Sequence, residues 1–272
     1  MEVANTAAQR SSDLSRQVGA AIFTKTMEIK AAGCNEVPVA GGGAYWENSE
    51  GDARDFVLQR DTNERRRRAV MVDLLVRLNQ IGALKNDHDV NEIEDLLFNR
   101  DDNVISDSQM MDSLEYGRSV HAEMAAITDA ARVGHSTSEC LLFSNTFPCH
   151  NCAKHIVAAG IREVIYMHPY PKSYAKELFS DSIAVNPPDQ GNYCAINKVI
   201  FRQFIGVVGP MYARLFTKAR WKRDKLGNVT EFTKHQASYV RTTPLPAYLE
   251  TERLLLDELN LKLQTEGLLP TT

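Results

Sequence analysis

The sequence predicts an α/β fold on a mixed sheet, and three observations carry that prediction. Residues 17–24 and 28–33 read as two strands joined by a tight turn, hence antiparallel. Residues 140–167 read as strand, helix and strand in close succession, which requires a crossover and parallel pairing. Between these blocks, residues 121–133 are rich in alanine and helical.

Taken in order, a short helix is expected over residues 6–15. Val18, Ala20 and Ile22 then alternate along the first strand, and Lys25-Thr26 turns the chain back. Asn35-Glu36-Val37-Pro38 ends the second strand, and Gly41-Gly42-Gly43 reads as loop. Residues 44–118 interrupt the pattern as an insertion, expected to lie beside the active site. Its clearest element is a helix over 63–80, with Val70, Leu74, Leu75 and Leu78 at helical spacing; a second helix is expected over 90–98, and the Asp-rich run 100–113 reads as loop. Helix 121–133, strand 140–143, helix 149–159 ended by Gly160, and strand 164–167 follow. Past Pro187-Pro188 the pattern adds a strand over 199–207, a helix after Pro210 and a charged helix over 249–263. The expectation is one domain over 1–272, with its core at about 6–40 and 118–186 and a C-terminal extension over 187–272.

At 272 residues, 43% hydrophobic and 24% charged, the composition is that of an ordinary globular protein. A net charge of −4 excludes a global attraction to nucleic acid. No apolar run approaches the ~18 residues of a membrane span, and residues 1–12 do not read as a secretory leader. Five cysteines (Cys34, Cys140, Cys149, Cys152, Cys194) suit metal ligation in a reducing cytoplasm better than a disulfide framework.

Two segments carry the chemistry: His121-Ala122-Glu123 and Pro148-Cys149-His150-Asn151-Cys152. Each alone is a weak signal. Together, in this order, they match the H-x-E and P-C-x-x-C signature of zinc nucleobase deaminases. Pro148 suits the first turn of a helix, and Cys149 and Cys152, three apart, share one helix face. A helix N-terminus favours thiolates. With a nitrogen from His121, three protein ligands leave a tetrahedral Zn2+ one position for water, the mark of a catalytic site. Glu123 is then the proton shuttle, from the attacking water to N3 of cytosine and on to the departing amine. Two blander readings compete. A structural zinc site would need a fourth ligand, with His150 or His155 nearest; a redox pair would leave His121-Ala122-Glu123 without a role.

At this point the chain resembles the deoxycytidylate deaminases of the cytidine deaminase superfamily. The resemblance extends to Ser15-Arg16-Gln17-Val18-Gly19-Ala20, to Gly33-Cys34-Asn35-Glu36-Val37-Pro38 and to residues 148–166. It implies a three-layer α/β/α fold with about five strands, both zinc helices on one face, and a homo-oligomer. It also implies that Asn35 bonds the sugar or its 3′-hydroxyl, that the backbone and small side chains around Ala122 and Ser144 border the base, and that Tyr170 lies near the sugar-phosphate. Arg16 or Gln17 would help hold phosphate. Gly41-Gly42-Gly43-Ala44-Tyr45-Trp46, Ala53-Arg54-Asp55-Phe56 and Phe204-Ile205-Gly206-Val207 look like the deaminase half of bacterial antiphage enzymes that deplete deoxycytidine nucleotides. In those a P-loop kinase-like domain precedes the deaminase; this chain contains no G-x-x-x-x-G-K-[ST].

The expected substrate is a free deoxycytidine nucleotide, dCMP or dCTP, with a nucleotide effector as a further partner. Nucleic acid is not expected as a substrate. The rivals are a polynucleotide deaminase, which would need a basic groove with interleaved aromatics, and a silent zinc scaffold, which would have no use for Glu123. Arg65-Arg66-Arg67-Arg68 reads first as a solvated helix face balanced by Asp61, Glu64 and Asp73. Any of the four that turned inward would meet phosphate. Tyr45 and Trp46 suit base stacking or ordinary packing equally.

Overall fold

The first strand, β1 (Gly19–Phe23), is buried at every residue. That pattern belongs to a strand covered on both faces. Alternation divides its side chains between two cores. Ala20 and Ile22 join Leu142, Val164 and Phe201 on one face, while Ala21 and Phe23 join Phe143 and Ile165 on the other. The structure, a computed structural model, describes residues 1–84, 89–98, 108–187, 197–209 and 248–265.

In chain order the elements are α1 (Glu2–Ala8), β1, β2 (Ile29–Cys34), α2 (Asp55–Leu58), α3 (Thr62–Gln80) and α4 (Val90–Phe98). After a 3-10 turn, Gln109–Asp112, come α5 (Ala122–Arg132), β3 (Leu141–Thr146), α6 (His150–Ala158), β4 (Glu163–His168), α7 (Ala175–Leu178), β5 (Ile183–Val185) and β6 (Val199–Gln203). The strand order is β2-β1-β3-β4-β6-β5. β1 runs antiparallel to β2 and β3; β3, β4, β6 and β5 are mutually parallel where they pair. The α5 and α6 helices bury Ala122, Ala126, Cys152, Ala153 and Ile156 against the first core, and α1 buries Ala4 against the second. The result is the three-layer α/β/α arrangement that the sequence implies.

Contacts divide the chain into two units, Met1–Val208 and Gly209–Thr272. The sheet and the elements named so far lie in the first. In the second, the described element is a single helix, α8 (Tyr248–Thr265), which matches the charged C-terminal helix read over 249–263. The helix expected after Pro210 lies outside the described residues. Among the described residues, no helix is long and apolar enough to cross a membrane.

Several expectations are corrected. The sheet has six strands rather than about five; the extra one, β5, is a three-residue edge strand too short to show alternation. The first helix is Glu2–Ala8, not 6–15. Ser11 donates through Oγ to Asn35 O (2.7 Å), and Ser12 donates through N and Oγ to Glu36 Oε2 (2.8 and 2.6 Å), so both are drawn away from helical pairing. β6 ends at Gln203, short of the 199–207 expected, and Phe204 N–H donates to Tyr166 O (2.7 Å). Helices α3 and α4 fall where the insertion's periodicity puts them. Met71, Ile93, Leu97 and Met111 close a small core of their own there.

Two glycines allow the helices to approach the sheet closely. A Cβ at Gly19 would meet Ala4 O at 2.0 Å, and one at Gly33 would meet Ala126 N at 2.5 Å and Ala122 O at 2.7 Å. Gly33 therefore sets how near α5 lies to β2. Gly33→Ala should force α5 off the sheet at a cost of about 1–3 kcal/mol. A thermal melt should show a clearly lowered Tm; an unchanged Tm would mean α5 is not seated this closely.

Candidate active site

Two helices begin at the same place. His121, with extended backbone (φ −65°, ψ 151°), is the N-cap of α5, and Cys149 (φ −68°, ψ 165°) is the N-cap of α6. Pro148 thus stands one residue before the cap, not in the first turn as its preference suggests. Its carbonyl accepts from Ser173 Oγ (2.7 Å), and the preceding Phe147 N–H donates to His168 O (2.8 Å), so the approach to α6 is pinned on both sides. The approach to α5 is pinned too. Glu36 and Val120 exchange backbone bonds of 3.2 and 3.0 Å immediately before His121.

This brings His121 Nδ1 to 3.3 Å from Cys149 Sγ and 3.4 Å from Cys152 Sγ. The ligand atoms of the trio all lie within 4.8 Å of one another. A tetrahedral zinc, with Zn–S near 2.3 Å and Zn–N near 2.0 Å, would place such a nitrogen and sulfur about 3.6 Å apart. The two sulfurs and the imidazole nitrogen are zinc's preferred donors, and both cysteines are buried. The trio fits the ion. Cys34 and Cys140, also free and buried, belong to no such group among the described residues. Nor do His150 and His155 join it, which leaves the fourth ligand of a structural zinc site unfilled among the described residues.

As three side chains alone, the trio shares its charge unevenly. Hydrogen bonding from Cys152, followed by that from His121, pulls the Cys149 thiol down to about 4. The bond to Cys149 raises the His121 imidazole to about 9. Cys152 is pushed upward by its bond to Cys149 and by burial. A divalent cation replaces this by holding both sulfurs as thiolates and the imidazole neutral. Glu123, on the first turn of α5, is only 4% exposed. Burial first, and then the Cys149 charge, pushes its carboxyl above the ordinary range.

A cleft of about 430 Å³ opens onto these groups. Of the residues singled out in the sequence, His121, Ala122, Glu123, Cys149, Asn35, Arg16 and Tyr170 line it. Cys152 is buried and does not line it. Asn35 lines the cleft, but its carboxamide is engaged. Oδ1 accepts from Val18 N–H (2.7 Å) and Nδ2 donates to Arg16 O (2.8 Å). It holds the Arg16 loop, and one N–H and one lone pair remain for a ligand.

Ser144 and Gln17 are not in the wall. Ser144 is fully enclosed within β3; Thr146, two residues on and so on the same strand face, reaches the cleft instead. Gln17 is turned back, with Nε2 donating to Ser11 O (2.8 Å). The insertion supplies much of the remaining wall, including Asp55, Asp61, Asn63, Arg67 and Arg118, as expected of an insertion beside the site. Asn63 bonds Ser113 O (2.9 Å) and Tyr116 N–H (3.1 Å), tying α3 to the segment that leads to His121. Of the four consecutive arginines, Arg67 alone turns into the cleft, and Arg65, Arg66 and Arg68 are exposed. No motif marks Asn63, Arg118 or Lys172. Their one sequence signal is position, on or just after segments that flank the zinc motifs.

The family model of the cytidine and deoxycytidylate deaminase zinc-binding region matches residues 1–168. ComE operon protein 2 of Bacillus subtilis (strain 168) is 38% identical over 66 residues, covering 24% of this chain and 35% of that protein. The deoxycytidylate deaminase of Enterobacteria phage T2 is 39% identical over 54 residues, covering 20% and 29%. The chain thus spans about a third of the length of the curated relatives it matches. The dCMP deaminase of cyanophage S-TIM5, solved in complex with dCMP and dUMP, is similar over 74% of this chain and 90% of its own, at 16% identity and a TM-score of 0.38.

Replacing either sulfur ligand should abolish zinc retention. Cys149→Ala and Cys152→Ala should each purify with little zinc by elemental mass spectrometry, whereas Cys34→Ala and Cys140→Ala should keep one ion per chain. Zinc retained in both ligand variants would dismiss the trio as the metal site.

Proposed function

The chain belongs to the zinc-binding cytidine and deoxycytidylate deaminase family, and on that premise we propose that it hydrolyses the 4-amino group of a free deoxycytidine nucleotide, dCMP or dCTP. The products are the deoxyuridine nucleotide and ammonia. The observation that carries this reading is Glu123, a carboxyl enclosed by the fold yet forming part of the cleft wall beside His121 and Cys149. A structural metal site has no use for such a group, and burying it is costly.

His121, Cys149 and Cys152 hold the metal, and zinc bound there supplies water acidic enough to attack at neutral pH. Glu123 takes one proton from the attacking water and delivers it to N3 of the cytosine as C4 becomes tetrahedral. The same carboxylate then takes the remaining proton from the new C4 hydroxyl and gives it to the 4-amino group, which leaves as ammonia while the C4 carbonyl of uracil forms. Burial favours the protonated form of Glu123, the form that donates to the ring and to the amine. Thr146, Phe147 and Ala122 border the base, and Asn35 fixes the loop that presents Arg16 to the phosphate end. The segments resembling antiphage deaminases support depletion of deoxycytidine nucleotides during phage infection as the setting.

Zinc-loaded protein should release uracil nucleotide from dCMP or dCTP, read by mass spectrometry against CMP, CTP, deoxycytidine and a cytosine-containing single-stranded oligonucleotide. Glu123→Gln should keep its zinc and lose roughly 10²–10⁴-fold in kcat. Glu123→Asp should also fail, since its carboxyl stands one methylene short. Conversion of the oligonucleotide alone, or full activity in Glu123→Gln, would contradict the reading.

A further inference from the structure

Four basic side chains line the cleft: Arg16, Arg67, Arg118 and Lys172. Reading the cleft as a deoxycytidine nucleotide site accounts for one phosphate and leaves the length of the phosphate chain open. The bonding of the four separates their tasks. Arg118 Nη1 donates to Asp55 Oδ1 (2.8 Å) and Ala53 O (2.9 Å), so it fastens the insertion where it leaves the core. Arg16 has no carboxylate partner among the described residues, and its guanidinium carbon lies 5.6 Å from the centre of the Tyr170 ring. Arg67 and Lys172 are tethered to neighbouring residues of one 3-10 turn. Arg67 donates to Met111 O, and Lys172 pairs with Asp112. Arg67 also pairs with Glu64 at 2.5 Å.

These three cations line the same cleft, together with Tyr170. Arg67 is unlike its three neighbours on α3 in a second way. Its Nε–H is enclosed and has no partner among the described residues, so the folded chain leaves a donor of this guanidinium unmatched. Glu64 engages Nη2 and Met111 O engages Nη1, which holds the side chain in the cleft wall and leaves one further N–H on each terminal nitrogen for phosphate oxygens.

We propose that Arg67 and Lys172, with Arg16, clamp a phosphate chain, and that this clamp makes the site select the nucleoside triphosphate over the monophosphate. A monophosphate carries roughly −2 at neutral pH and is met by Arg16 with one neighbour. The two further phosphates of a triphosphate need cations farther along, and those come from the insertion helix and from the residue two beyond Tyr170. The inference rests on the nucleotide reading of the cleft, which fixes the base end at Glu123.

The test compares kcat/KM for dCTP and dCMP, each with magnesium, in the wild type, Arg67→Gln and Lys172→Gln. The wild type should favour dCTP, and each variant should lower the dCTP-to-dCMP ratio about tenfold or more, the worth of a lost charge-assisted bond. Lys172 is exposed enough that its replacement leaves the fold intact, and zinc content with a thermal melt checks Arg67→Gln. A second arm needs no turnover. Calorimetry should show dUTP binding the wild type more tightly than dUMP, with the difference lost in the variants. Turnover with an unchanged ratio, or equal affinities for dUTP and dUMP in the wild type, would overturn the clamp. Failure of the wild type to convert either nucleotide would instead count against the deaminase reading, and the calorimetric arm would still decide the clamp.

Discussion

His121 and Cys149 occupy the same position on different helices, each being the last extended residue before the first turn. At that position a side chain can face outward past the helix end while the free N–H groups of the first turn favour negative charge nearby. Cys149 uses this directly, its sulfur accepting from Cys152 N–H at 3.4 Å. The metal trio exists only if the two N-termini meet, and the surrounding architecture serves that meeting. Gly33 lets α5 sit on β2, the parallel β3 and β4 fix α6 between them, and the Glu36–Val120 bridge sets the residue before His121.

Once the trio is in place, the burial of Glu123 follows from helix geometry. It is two residues past His121, on the first turn of a helix whose inward residues Ala122, Ala126 and Ala130 are all fully enclosed. Small side chains bring the helix close to the sheet, and the carboxyl at its start is thereby sealed from solvent on every side but the cleft. An ionised carboxylate there is disfavoured by desolvation. Asn35 shows the same economy. It holds Val18 and Arg16, so the loop it fixes, and not only its own amide, shapes the cleft.

The parts of the sequence that carried strong local constraint were legible. The alternation of Ala20 and Ile22, the alanine-rich helix and the two zinc segments each state a local geometry, and the structure forms these elements, with α6 starting two residues after Pro148 rather than at it. β5 was not legible, because three residues cannot show a period. Ser144 is itself enclosed, and Thr146 and Phe147 just beyond it line the cleft; spacing gives the strand face but not how deep in the sheet the cleft begins. The inward turn of Arg67 could have been found. It lies four residues before Met71, which is buried in the insertion's core, and residues four apart share a helix face. The apolar stripe read from Val70, Leu74, Leu75 and Leu78 passed over Met71, and with it the face on which Arg67 stands. The bonds of Asn63 and Arg118 depend on loops that meet only after folding, and no periodicity encodes them.

The central claim is that the enclosed carboxyl and the metal trio add solvent water to a cytosine ring. Its most direct test is turnover of dCMP and dCTP by the zinc-loaded chain in ¹⁸O-enriched water, with the product base read by mass spectrometry. The account predicts uracil carrying one solvent oxygen at C4 and stoichiometric ammonia. Uracil without the label, or no uracil from either nucleotide, would contradict it.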